Sequence, residues 1–156
     1  MQFRRLFVCL LPALAVLSFV VPATAATANT RETALLRELN RVRAQHGLAG
    51  LRFDTRLHRA ARAHTREMVV SNTFSHGAFD SRMLRFAVTG SIAGENLAWG
   101  TGRRGTARGI VAAWLASPGH RANLLRPSFT RVGIGDLGAS FLGHPGARVV
   151  TADFAG

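Results

Sequence analysis

The sequence contains no lysine, no tyrosine and only one cysteine, Cys9, which stands close to the N-terminus. Each absence excludes something. With no second cysteine there is no disulfide to staple a small exported domain, so the core alone must hold the fold, which a chain of this size can do. No thiol nucleophile exists downstream of Cys9, and no G-x-S-x-G elbow is present. Ser117 lies near His120, but Pro118-Gly119 between them fixes their directions and no third orienting residue is evident, so a serine hydrolase is disfavoured. Acidic residues are few: eight, against twenty basic residues that are all arginine, for a net charge of +12. Such a charge attracts nucleic acid, anionic envelope polymers or anionic lipid, although a GC-rich genome that writes arginine for lysine gives the same composition. Nucleic acid is not an expected partner, because the phenylalanines are scattered and no tyrosine joins them in a stacking platform.

The N-terminus carries the one long apolar run. Met1-Gln2-Phe3-Arg4-Arg5 is a short basic start, Leu6 to Val21 is apolar, and Pro22-Ala23-Thr24-Ala25-Ala26 supplies small residues at A-x-A spacing. This order reads as a cleavable signal peptide over residues 1–25, with a cut after Ala28 as the alternative. The run contains Pro12 and falls short of the roughly 20 residues a spanning helix needs, so no integral span is expected after processing. Residues 26–30 read as a flexible tether, and 31–156 as one domain.

Along that domain the periodicities predict helices before strands. Leu35, Leu39 and Val42 mark a first helix from about Thr30, the expected N-cap, with Gly47 past its end. Asp54 caps a second helix running to about Ser71. Leu57, Ala61, His64 and Met68 lie on one face of it, and Arg56, Arg59, Arg62 and Arg66 on another, expected to be exposed and solubilising. A loop-rich stretch from Asn72 to Gly105 holds helical turns near Ser81–Val88 and a short strand near Asn96–Trp99. A third helix spans Thr106 to Ala116 and a short one Arg121 to Leu125. Two strands, Arg131–Leu137 and Arg148–Phe154, are joined by a turn region around Leu142–Gly146. The fold class is α+β, with helices over a mainly antiparallel sheet and Leu39, Met68, Trp114, Leu115 and Phe154 in the core.

Four stretches, in order, resemble the CAP superfamily of cysteine-rich secretory, antigen 5 and pathogenesis-related 1 proteins. They are Ala63-His64-Thr65-Arg66-Glu67-Met68 with Phe74-Ser75-His76; Gly94-Glu95-Asn96-Leu97-Ala98; Trp114 to Leu125, which includes Ser117-Pro118-Gly119-His120; and Phe129 to Gly135 with Thr151-Ala152-Asp153-Phe154. The lack of cysteines and the Ser-Pro-Gly-His wording are similar to the bacterial, SCP-like extracellular branch. The resemblance implies a three-layer α-β-α sandwich with a surface cavity lined by His76, Glu95 and His120. Ser117 borders it near the position where many members carry a glutamate, and Asn96 is expected among the cavity residues as well. In many members two histidines and two acids hold a divalent metal. Serine at the fourth position breaks that set, so a metal such as zinc is expected to bind weakly through His76, His120 and Glu95, and Ser117→Glu is expected to strengthen it.

Three functions follow as expectations. The first is a secreted, monomeric, non-catalytic binding module whose cavity takes a small apolar, lipid-like or envelope-derived ligand. The second is a metal-dependent hydrolase using His76, Glu95 and His120. The third is a polyanion-binding protein that holds an anionic envelope polymer on its arginine faces. Among the other histidines, His64 reads as a satisfied core residue, His46 as a helix-end cation, and His58 and His144 as surface residues.

Overall fold

The computed structural model describes residues 28–156. The signal segment and its cleavage site after Ala25 lie outside the described residues. Helix α1 spans Thr30–Gln45. Its cap is Asn29, one residue before the expected Thr30. The Asn29 side chain accepts from the Arg31 and Glu32 amides at 2.9 and 3.0 Å, and the Glu32 carboxylate accepts from the Asn29 amide at 2.7 Å. This reciprocal box satisfies amide donors that the helix itself cannot pair. Strand β1 is only Arg52–Phe53, too short to give an alternation in the sequence, and it was not anticipated. Helix α2, Thr55–Ser71, begins at Asp54 as expected and stops at Asn72, which takes a left-handed conformation.

Helix α3 (Phe79–Arg85) and strand β2 (Ala93–Gly100) follow, then a 3-10 turn over Gly102–Gly105. Helix α4, Ala107–Ala116, is capped by the Thr106 hydroxyl, which accepts from the Gly109 amide. Pro118 starts helix α5, Pro118–Leu124, at a first-turn position where its missing N–H costs nothing. Strands β3 (Arg131–Phe141) and β4 (His144–Ala155) close the chain. They run further than expected, and the connection is tighter. Leu142 and Gly143, both at positive φ, form the two-residue turn, while Pro145 and Gly146 already belong to β4.

The sheet order is β1-β3-β4-β2, antiparallel except for the short β1–β3 pair. Helix α2 covers one face, with α3 beside it; α1, α4 and α5 cover the other. The result is an α-β-α sandwich. On the α1/α4 side, Leu35, Leu39, Ile110, Trp114, Phe129, Ile134 and Phe154 form the main core, and the Trp114 indole N–H donates to the Leu97 carbonyl at 2.9 Å. Truncating Trp114 to alanine is expected to cost about 3–5 kcal/mol. Leu39, Met68, Trp114 and Phe154 are buried as anticipated. Leu115 is only partly buried, because a residue next to Trp114 is turned about 100° round the helix and cannot face the same way.

Two glycines set how closely α2 approaches the sheet. A Cβ on Gly133 would stand 2.0 Å from the Leu57 carbonyl carbon, and one on Gly135 would stand 2.6 Å from the Ala61 carbonyl oxygen. Both obstacles are main chain, so neither could swing aside. The backbone of α2 therefore rests directly on β3.

Candidate functional site

Period-two alternation along β2 sends neighbouring residues to opposite faces. Glu95 faces the α2/α3 side, and Asn96 faces α5. The loop after α2 brings His76 over Glu95, and the corner between α4 and α5 brings Ser117, Gly119 and His120 to the rim. His76, Glu95, Ser117 and His120 thus line one cavity of about 450 Å3, together with Phe79, Gly94 and Asn123. Asn96 is not among the lining residues. It is fully buried, and its side-chain amide donates to the His120 carbonyl at 2.9 Å. Asn123 donates to the Asn96 side-chain oxygen and to the Glu95 carbonyl, both at 3.1 Å. Asn96 therefore holds the α5 corner in place, and its expected position in the cavity is corrected.

Glu95 is engaged at both oxygens. The His76 Nδ1–H donates to Oε1 at 2.6 Å, and Arg82 Nη2 donates to Oε2. His64 lies behind, its Nε2 3.8 Å from Oε2 and donating to the Ser75 carbonyl at 2.9 Å. It is buried and partnered, the core histidine expected. Next to Glu95 in the β2–β4 register stands Asp153, wholly buried, with Oδ1 3.9 Å from Arg82 Nη2. Burial, reinforced by the Glu95 charge, pushes the Asp153 carboxyl well above the usual carboxylate range despite Arg82. His120 is held below the ordinary imidazole value, first by burial and then by nearby His76.

This arrangement does not fit the three-ligand metal set that the resemblance implies. One Glu95 oxygen is occupied by a guanidinium and the other by the Nδ1–H of His76, so a cation already neutralises the carboxylate a metal would need. Among the described residues no group of three His, Cys, Asp or Glu side chains is placed to hold a metal ion. The Ser117 hydroxyl is shorter than the missing carboxylate.

Arg82, Asp153, Phe79 and Asn123 were missed as site residues. Asn123 had a signal: it lies one helical turn after His120. Asp153 also had one, since it stands in the closing Thr151-Ala152-Asp153-Phe154 stretch; Arg82 had none, because a lone arginine in a loop-rich stretch looks like a surface residue. His144 is exposed as expected, and His46 caps α1, its ring Nδ1 2.9 Å from the Val42 carbonyl. His58, expected at the surface, is fully buried. Its Nδ1–H donates to the Ile134 carbonyl at 2.7 Å, on the part of β3 beyond the reach of β1. Beside it, buried Glu32 has Oε2 3.8 Å from His58 Nε2 and Oε1 3.3 Å from Arg62 Nε. Arg62 is therefore an ion-pair partner as well as an exposed residue.

With this geometry in view, comparison with known proteins is decisive. The profile of the cysteine-rich secretory protein (CAP) family matches residues 36–151. The chain belongs to the CAP family. A Bacillus subtilis relative, the uncharacterized protein YkwD, is 35% identical over 129 residues, which is 73% of this chain and 49% of that protein. An extracellular SCP-domain protein of Bacillus anthracis superposes with a TM-score of 0.64 at 30% identity, over 80% of this chain and 40% of that one. An outer surface protein of Borrelia burgdorferi superposes with a TM-score of 0.66 at 22% identity, over 85% of this chain and 99% of that one. The chain thus spans half or less of the length of these two Bacillus proteins. The CAP match contains His76, Glu95, Ser117 and His120 and ends before Asp153. Among the described residues, no helix of this CAP chain is long and apolar enough to cross a membrane.

Proposed function

We propose that the protein is a secreted, monomeric, non-catalytic CAP module whose His76 cavity takes a small, partly apolar ligand. The observation that carries this reading is the state of Glu95. Pairing with a cation and an imidazole N–H lowers a carboxylate's basicity and its pull on a metal, and this one is held by Arg82 and His76. It therefore fixes the cavity floor. Phe79 and Gly94 give an apolar wall, while the His76 and His120 rings, the Ser117 hydroxyl and the Asn123 amide offer polar contacts at the rim. An apolar wall with a few placed polar groups is the usual make-up of a small-molecule site. The extracellular location is supported by the basic-apolar-small order of residues 1–25 and by the Bacillus anthracis relative.

The test uses Gly119, which lines the cavity and has open space around an added Cβ. Protein secreted by its own host is examined by native mass spectrometry. A co-purifying small molecule is expected in the parent and lost in Gly119→Phe, with thermal stability retained. Zinc-dependent esterase or peptidase activity, abolished by His76→Ala with His120→Ala, would overturn the reading in favour of the hydrolase.

A further inference from the structure

Away from the His76 cavity, α2 presents a second concavity. Arg59, Arg62 and Arg66 line a cavity of about 340 Å3 with Ala63, Phe86 and Leu137. No carboxylate is among these lining residues. The Arg59 guanidinium lies 5.6 Å from the centroid of the Phe86 ring, and the Arg85 guanidinium lies at the same distance. The ring thus steadies two cations at the edge of the hollow. Among the described residues neither Arg59 nor Arg66 pairs with a carboxylate. Arg62 does, through Nε to Glu32, an orientation that leaves its two Nη groups for another acceptor. The stripe is not uniform, because Arg56 is spent on the Ala87 carbonyl at 3.0 Å.

We propose that this cavity binds a phosphate group carried on a small organic body. Three guanidiniums in one hollow repel each other unless an anion lies between them, and their forked N–H donors match the several oxygens of a phosphate. A single carboxylate would leave most of that charge unbalanced. Ala63, Phe86 and Leu137 receive the apolar part of the ligand. The volume lies at the small end of the roughly 300–1,000 Å3 range of ligand sites, which suits one phosphorylated unit. The attraction expected of the whole arginine face is thereby confined to one built cavity, separate from the His76 site and independent of what that site binds.

The ligand phosphate has two sources to distinguish, a soluble phosphate and a lipid headgroup. Sodium pyrophosphate is titrated calorimetrically into the protein, and co-sedimentation is measured with phosphatidylglycerol vesicles in a phosphatidylcholine background. Binding to at least one is expected. Pyrophosphate binding assigns the soluble form, and binding to vesicles alone assigns the headgroup. Arg59→Gln with Arg66→Gln should weaken it at least about tenfold, as the loss of two charge-assisted contacts implies. Arg103→Gln with Arg104→Gln removes the same charge from the exposed 3-10 turn and should change it less than about twofold. Phe86→Leu, which frees Arg59, should weaken it about threefold; this single change carries the test if the double variant fails to fold. Binding to neither probe, or equal weakening by the two double variants, overturns the proposal.

Discussion

Among the described residues, two clusters of the same three residue types stand out, and they open to solvent through different residues. Beside the cavity, Glu95 meets Arg82, His64 and His76. At the uncovered part of β3, Glu32 meets Arg62 and His58. In the first, the His76 side chain is 59% exposed above a nearly buried carboxylate. In the second, the glutamate and histidine side chains are both fully buried, and the arginine closes the cluster from outside. The second has structural work: Glu32 completes the cap of α1, and His58 serves a β3 carbonyl that β1 does not reach. A buried carboxylate with a cation and an imidazole is therefore not in itself a site. What distinguishes the first is that the exposed member is an imidazole over the carboxylate, whereas in the second it is the arginine, which lines the other cavity.

The sharpest way to break the comparison is to remove each arginine. Arg82→Gln strips from Glu95 the one guanidinium that pairs with it among the described residues and should destabilise the protein by about 3–5 kcal/mol, as uncompensated buried charges do. Arg62→Gln should cost about 1 kcal/mol or less, because its guanidinium is half exposed and Glu32 keeps its bond to the Asn29 amide. Urea denaturation of both variants decides; equal losses would mean the clusters are alike.

Asp153 gives the next largest effect. Its folded pKa lies above the unfolded 3.8, so the folded state holds a proton that the unfolded chain releases. The Asp153 contribution to stability is greatest below 3.8 and is lost as pH rises through the folded value. Asp153→Asn copies the protonated carboxyl. It should gain about 1 kcal/mol at neutral pH and nothing near pH 3. An identical pH profile for parent and variant would refute a protonated Asp153.

His58 runs the other way. Burial, the largest influence, holds its folded pKa below 6.5, although Glu32 opposes this. Below 6.5 the unfolded chain takes a proton that the folded state refuses, so stability is lost as pH falls from 6.5 toward the folded value. His58→Gln should lower stability by about 1 kcal/mol at neutral pH, with the Ile134 carbonyl less well served, and should flatten the acid limb. His120 shares this direction, so part of the slope should remain. The smallest effect is expected from Arg59→Gln, within about 0.5 kcal/mol of the parent in thermal denaturation, as for other exposed substitutions.

Most of the fold was legible. Asp54 marked the start of α2, the apolar positions of α1 and α2 marked their inner faces, and Trp114 marked the core. The cavity was legible through motif order, which joined His76, Glu95, Ser117 and His120. What was not legible depended on long-range packing. His58 lies on α2 amid exposed arginines, and only the shortness of β1 makes it a buried partner of β3. Arg82 is ordinary in sequence, and Asp153, though inside a family-like stretch, acquires its role only from the strand register that sets it beside Glu95. The reading of Asn96 failed because adjacent residues on a strand point opposite ways. How well Glu95 could serve a metal depends on Arg82, a residue outside every motif.

The glycine notches of β3 also restrict how this molecule can move. With main chain close on main chain at Gly133 and Gly135, and the Thr65 hydroxyl bonded to the Thr151 hydroxyl beside them, the shear that lets packed helices glide past one another is opposed there. Helix α2 and the sheet are expected to move as one plate. Any breathing that admits a ligand to the His76 cavity must come from the parts that meet the plate through side chains: the His76 loop, α3, and the α4–α5 corner tied down by Asn96 and Asn123. Loosening that tie would widen the entrance while the floor under Glu95 stayed still.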